Sequence, residues 1–211
     1  MALDFSEKTG PRTYFYSGNT SHFMGEMSRA DFDANDLLCA QSVTPKFIGG
    51  TSFFYSCAQH VLIGSYLAED LYGRDLAKAY LGITIPRHYM GNINRELIAH
   101  MPELYDMETR IGRAVLQAYG IDPALWRNPA MEHVEAIVSA VEFRDLKPFS
   151  TPPSDLPTPC PNVVINYMTP GQAYLALAAR CHELFPDMNL TFNHEHLPPE
   201  DVCRQVFVSR L

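Results

Sequence analysis

The chain has 211 residues, 46% of them hydrophobic and 19% charged. That is the composition of a chain with a core, and it excludes wholesale disorder. Sixteen Lys and Arg against 24 Asp and Glu give a net charge of −8, which excludes non-specific binding to a nucleic-acid polymer, since that rests on cations neutralising phosphates.

Residues 1–12 lack the basic start and apolar run of a secretion signal. No stretch approaches the ~18 apolar residues of a membrane span. The expectation is a cytoplasmic chain that makes no membrane contact. The five cysteines, Cys39, Cys57, Cys160, Cys181 and Cys203, are odd in number and form no CxxC pair. They predict neither a disulfide framework nor a zinc knuckle.

Residues 10–27, rich in Gly, Ser, Thr and aromatics, read as an irregular or weakly extended arm. Ser28 is a candidate cap for a helix over residues 29–42. Pro45 and the pair Gly49–Gly50 interrupt the chain. Ser56 caps a second expected helix with Val61, Leu62, Ile63 and Leu67 as its apolar body, and Gly73 ends it. A short helix over residues 74–81 follows, stopped by Gly82 and Pro86. Leu104, Met107, Ile111, Val115 and Ala118 then fall on one helical face, with Asp106, Glu108, Arg110 and Arg113 elsewhere and Gly120 as the C-cap. A further helix after Pro129 carries Val134, Ile137, Val138 and Val141.

Pro148 to Pro161 includes six prolines, too many for a helix or a central strand. It reads as a strap crossing the molecule, with Val163–Ile165 as a short extended segment. Thr169 and Pro170 form an N-cap and N1 pair for a helix presenting Tyr174, Leu177, Ala178, Cys181 and Leu184. A last helix is expected over residues 199–209. The pattern predicts an all-α helical bundle. Residues 1–147 form the helical domain with its arm, and residues 148–211 form a strap and C-terminal helices packed on it.

Among residues able to do chemistry, His60 lies in the second helix, Asp75 opens the third, and Glu135 and Glu142 sit seven apart on one helix face. A His and carboxylates on neighbouring helices suit Mn, Fe or Co. The blander reading makes His60 a hydrogen-bonded core residue. His194 and His196 supply only two ligands and read as part of a solvated loop or a subunit contact. Walker, GxSxG and HExxH motifs are absent.

Asp36 to His60 reads DLLCAQSVTPKFIGGTSFFYSCAQH. It resembles, without a gap, the opening DIAxxLSxLxRFNGHTxxFYSVAxH of HD-domain phosphohydrolases of the bacterial 5′-deoxynucleotidase type, which include phage-encoded members. Tyr80–Leu81–Gly82 with Ile85–Pro86 resembles that family's AYLGDIPRPLK segment. Residues 140–146, AVEFRDL, resemble its ATExxDL run, and residues 169–185 its closing helix. The resemblance spans residues 12–185 and implies an HD-type bundle, a bacterial or phage-infected cell, and a tendency to homodimerise.

Carried over residue by residue, the resemblance places the first metal-binding His at His60 and the Asp of the HD pair at Asp75. The last Asp ligand falls at Glu135. The His of the pair becomes Arg74, the assisting Glu becomes Lys78, and the phosphate-contacting Arg becomes Lys46. The Asp of the GDIP turn is missing from Gly82–Ile83–Thr84–Ile85–Pro86.

Guanidinium cannot ligate a cation, and Lys78 cannot serve as the acid's proton acceptor. The resemblance therefore implies a degenerate relative that binds a nucleotide, another small phosphorylated ligand, or a protein partner. Lys46, Arg74 and Lys78, with Arg87 as a fourth cation, would surround the cleft. Alternatively, Arg74 pairs with Asp75, Glu135 or Glu142 in a structural network. Two other functions remain open. One is a phosphohydrolase of dNMP or dNTP holding Mn, Co, Mg or Fe on His60, Asp75 and Glu135. The other is a structural protein reusing the fold.

Overall fold

A computed structural model describes residues 12–15, 20–22 and 26–188. The arm forms a small antiparallel ribbon, β1 (Arg12–Tyr14) with β2 (Thr20–His22), in which Thr13 faces Ser21. All other regular structure among the described residues is helical, so the chain is an all-α bundle.

The helix expected over residues 29–42 begins later. The Ser28 amide and hydroxyl donate to the Asp31 carboxylate at 2.8 and 3.0 Å, which closes only a 3₁₀ turn over Arg29–Asp31. Phe32 then leaves helical geometry and its ring is buried. Asp33 is the true cap of α1 (Ala34–Val43), accepting from the Asp36 amide at 3.0 Å.

α2 (Cys57–Tyr72) is the central helix, capped by Ser56 and stopped by Gly73 at φ 90°. Residues 57–65 are all buried, so the helix enters the core on every face. α3 (Arg74–Tyr80) doubles back against it. Their close approach requires Gly64, because a Cβ there would lie 1.9 Å from the Tyr80 ring.

Pro86 does not merely stop a helix. It occupies the first turn of α4 (Pro86–Met90), where its missing N–H costs nothing. α5 (Arg95–His100) follows. α6 (Pro102–Ala118) buries Ile111 and Val115 as its spacing predicts. Glu108, expected on its polar side, is buried as well and pairs with Arg127. α7 (Pro129–Leu146) buries Val134, Val138 and Val141.

The proline-rich segment has neither helix nor strand. The end of α7 holds it: Arg144 donates to the carbonyls of Cys160 (3.0 Å) and Val163, and Asp145 accepts from the Ile165 amide at 2.9 Å. Val163 and Ile165 point inward and Val164 outward, so the alternation is extended although no strand partner is present among the described residues. Thr169 caps α8 (Pro170–Leu184).

Arg180 on α8 is fully buried. It donates to Ser65 Oγ at 3.1 Å and Glu69 Oε2 at 2.6 Å, and stacks on Tyr66 at 4.1 Å, tying α8 to α2. The described cysteines, Cys39, Cys57, Cys160 and Cys181, are free thiols. No described helix is long and apolar enough to cross a membrane. The helix expected over residues 199–209, and His194 and His196, lie outside the described residues.

Candidate functional site: a buried Glu–His–Glu cluster

His60 sits on the buried face of α2 with no solvent exposure. Glu135 and Glu142, two turns apart on α7, reach it from either side. Glu142 Oε1 lies 2.6 Å from His60 Nδ1, and Glu135 Oε2 lies 3.1 Å from Nε2. A carboxylate oxygen at each ring nitrogen favours the protonated imidazole, which donates from both. Burial and Lys46 oppose that charge, but Glu135 and Glu142 outweigh them and raise the His60 pKa. Burial likewise opposes ionisation of Glu135. His60, Lys46 and Arg95 prevail and hold it well below the usual carboxylate range.

Tyr80 completes the cluster from α3. Its hydroxyl donates to Glu135 Oε2 at 2.6 Å and lies 3.5 Å from His60 Nε2. Burial, with Glu135 beside it, pushes the phenol far up, so it stays protonated. Tyr55 is buried on the Glu142 side, and its phenol is raised by burial and by that carboxylate. Arg95 on α5 lies 3.5 Å from Glu135 Oε1 and 2.5 Å from Glu132 Oε2, which links the cluster to the surface.

Lys46 is 5% exposed and lies within the electrostatic reach of His60 and Glu135. The turn it heads is pinned at both ends. Its amide donates to the Tyr55 carbonyl at 2.8 Å, and Pro45 bridges Ser56. Lys46 makes no ion pair among the described residues, and its ammonium lies 5.7 Å from the Phe47 ring. Burial raises the Cys57 thiol pKa, with Lys46 and Arg87 opposing the rise. The Arg87 Nε is buried without a hydrogen bond and lies 4.0 Å from Glu108.

The structure brings together His60, Glu135 and Lys46 of the expected site. It separates Arg74, Asp75 and Lys78 from them. Arg74 and Asp75 form the exposed first turn of α3, and the Asp75 side chain is 90% exposed. Arg74 donates to the Glu183 carbonyl at 2.7 Å and to Glu69 at 3.4 Å. It is therefore a structural partner, but of Glu69 and not of Asp75, Glu135 or Glu142. Lys78 lies two residues from Tyr80 and so points to the opposite side of α3. Its ammonium lies 5.5 Å from the ring of Phe185, the residue that follows α8.

The divalent metal implied by the resemblance does not fit these residues. Both His60 nitrogens are taken by carboxylates, Asp75 is remote, and a phenol stands beside Nε2. Among the described residues no group of three or more His, Cys, Asp and Glu side chains is disposed to hold a metal ion. Tyr80 and Arg95 escaped the sequence reading. Tyr80 was visible only as part of a motif, and residues 87–100 have no periodicity to mark α5.

No protein-family model matches the chain. Over 131 residues, 62% of this chain and 70% of the other, it is 27% identical to the uncharacterized protein YfdR of Escherichia coli strain K12.

Proposed function

We propose that the chain is a catalytically degenerate HD-type protein that binds a small phosphorylated ligand, a nucleotide in the first instance, without hydrolysing it. The observation that carries the reading is the saturation of His60. The imidazole that the resemblance assigns to a metal spends both nitrogens on Glu142 and Glu135. An imidazolium cannot ligate a cation, and metal-activated water has no place to form. Binding is supported by Lys46, a nearly buried ammonium with no ion-pair partner among the described residues, and by Arg87, whose Nε makes no hydrogen bond although it lies 4.0 Å from Glu108. Buried cations favour a phosphate through charge-assisted hydrogen bonds. Arg74 and Lys78 take no part in this version of the site.

The test has two stages. Purified protein is assayed for bound metal and for dNMP and dNTP hydrolysis in Mn²⁺ and Co²⁺. The expected result is neither metal nor turnover. Stoichiometric metal, with turnover abolished by Asp75→Ala, would sink the proposal in favour of an active phosphohydrolase. A thermal-shift screen with nucleotides then reads binding, because a ligand that prefers the folded state raises the melting temperature. Lys46→Ala should abolish the shift. No shift with any nucleotide at millimolar concentration overturns the ligand and leaves a protein partner, or a second copy of this chain, as the function of the fold.

A further inference from the structure

A pocket lies on the far side of α3 from the His60 cluster, between α1, α3, α6 and α8. Its cavity volume is about 50 Å³, within a recess of about 470 Å³ when the solvent-open space at its mouth is included. It occurs where the two apolar clusters of the core meet, one including Leu38 and Leu116, the other Leu37 and Val115. The side chains of Leu37, Leu81, Val115 and Phe185 make its walls almost wholly apolar.

Besides the Cys181 thiol and Tyr119, whose hydroxyl donates to the Phe32 carbonyl at 2.9 Å, the polar residues of the lining are Gln41 and Lys78. The Gln41 carbonyl oxygen is already occupied by the Thr84 hydroxyl at 2.9 Å. Lys78 is the single charged residue of the lining among the described residues. Its neighbour Asp75, 4.0 Å away, is almost fully exposed, so that pair is screened by solvent. Lys78 itself is about one-third exposed, which puts its ammonium at the rim with its stem along the wall.

We propose that this pocket binds a small amphiphilic anion, an alkyl or aryl carboxylate whose apolar body enters between the helices while Lys78 holds its carboxylate. Apolar walls with one placed polar group describe a small-molecule site. Here the charged group is a cation, and among the described residues the lining offers no carboxylate to compete for it. The inference is independent of the nucleotide reading, since Lys78 and Tyr80 face opposite ways on α3 and the two sites share no residue.

The experiment uses the full chain. Straight-chain carboxylates from butanoate to dodecanoate, each below its micelle concentration, are compared with the matching alcohols by thermal shift and calorimetry. Saturable binding at an intermediate chain length is expected, with a rise in melting temperature of about 3 °C or more at saturation. Lys78→Met should weaken the carboxylate about five- to tenfold, to the level of the alcohol, while leaving the alcohol unchanged. Lys78→Arg should restore the preference. The proposal is overturned by any of three results: no saturable binding at any chain length, alcohols binding as tightly as carboxylates, or no effect of Lys78→Met.

Discussion

One imidazole, two carboxylates and a phenol share the interior beside α2, and their effect on stability follows from who loses a partner. Removing one member of a buried ion pair strands the other, at about 3–5 kcal/mol. Glu142→Ala is therefore expected to destabilise by that amount in urea titrations. Tyr80→Phe, which removes one hydrogen bond to a charged acceptor, should cost roughly 1.5–3 kcal/mol. If Glu142→Ala costs less than Tyr80→Phe, the ionic account of the cluster is wrong. The same groups set the pH dependence. His60 has a folded pKa above its ordinary 6.5, so its contribution is complete below 6.5 and is lost as pH rises through the raised value. Glu135 has a folded pKa below its ordinary 4.5. Its contribution is complete above 4.5 and is lost as pH falls through the lowered value. Both contributions coexist from about pH 4.5 to 6.5, and urea midpoints measured across the pH range should fall on either side of that window. The variant His60→Gln should lose the alkaline limb and keep an acid one.

The helices meet closely only where small residues allow it. Gly64 on α2 admits the Tyr80 ring, and an added Cβ would sit 1.9, 2.3 and 2.6 Å from three of its ring atoms. Gly64→Ala must push α3 away and with it the phenol that bonds Glu135. Overpacking of this kind costs about 1–3 kcal/mol or more. Gly171, on the first turn of α8, has open space around it. Gly171→Ala should stabilise by about 0.4–1 kcal/mol, because it restricts the unfolded chain without a clash. Opposite signs for the two substitutions in denaturant titrations are the expected outcome; the same sign would mean that Tyr80 is not packed as described. At this scale much was legible in the sequence. The caps Ser56 and Thr169, the start of α7 at Pro129, and the apolar spacings of α2, α6, α7 and α8 follow from local chemistry. α4 and α5 were not legible, because five- and six-residue helices carry too little periodicity. The start of α1 was misplaced because Ser28 and Asp33 are both good caps, and only the burial of Phe32 decides between them.

Across the whole molecule, linear register misplaced half of the expected site. His60 and Glu135 are far apart in sequence yet adjacent in space, as the motif spacing implied. Arg74 and Asp75, aligned to a metal-binding pair, begin a helix at the surface. The reason is geometric: α2 runs on to Tyr72 before Gly73 turns the chain, so α3 starts beyond the cluster and only its last residue, Tyr80, comes back level with His60. A phenol and an imidazole held by two carboxylates thus stand where the resemblance implies a metal ion, and these groups link α2, α3 and α7. This has a consequence for chelation. A metal present at a hundred times its dissociation constant would add about 2.7 kcal/mol to the folded state. In a chain of this length that corresponds to roughly 5–10 °C in melting temperature. Dialysis against EDTA, and titration with Mn²⁺ or Co²⁺, should instead leave the melting temperature within about 1 °C of its starting value. A rise in the larger range on adding either metal would mean that Glu135 leaves His60 to make room for it. The stability now supplied by Glu142, His60 and Glu135 would then be an alternative to metal binding, not its replacement.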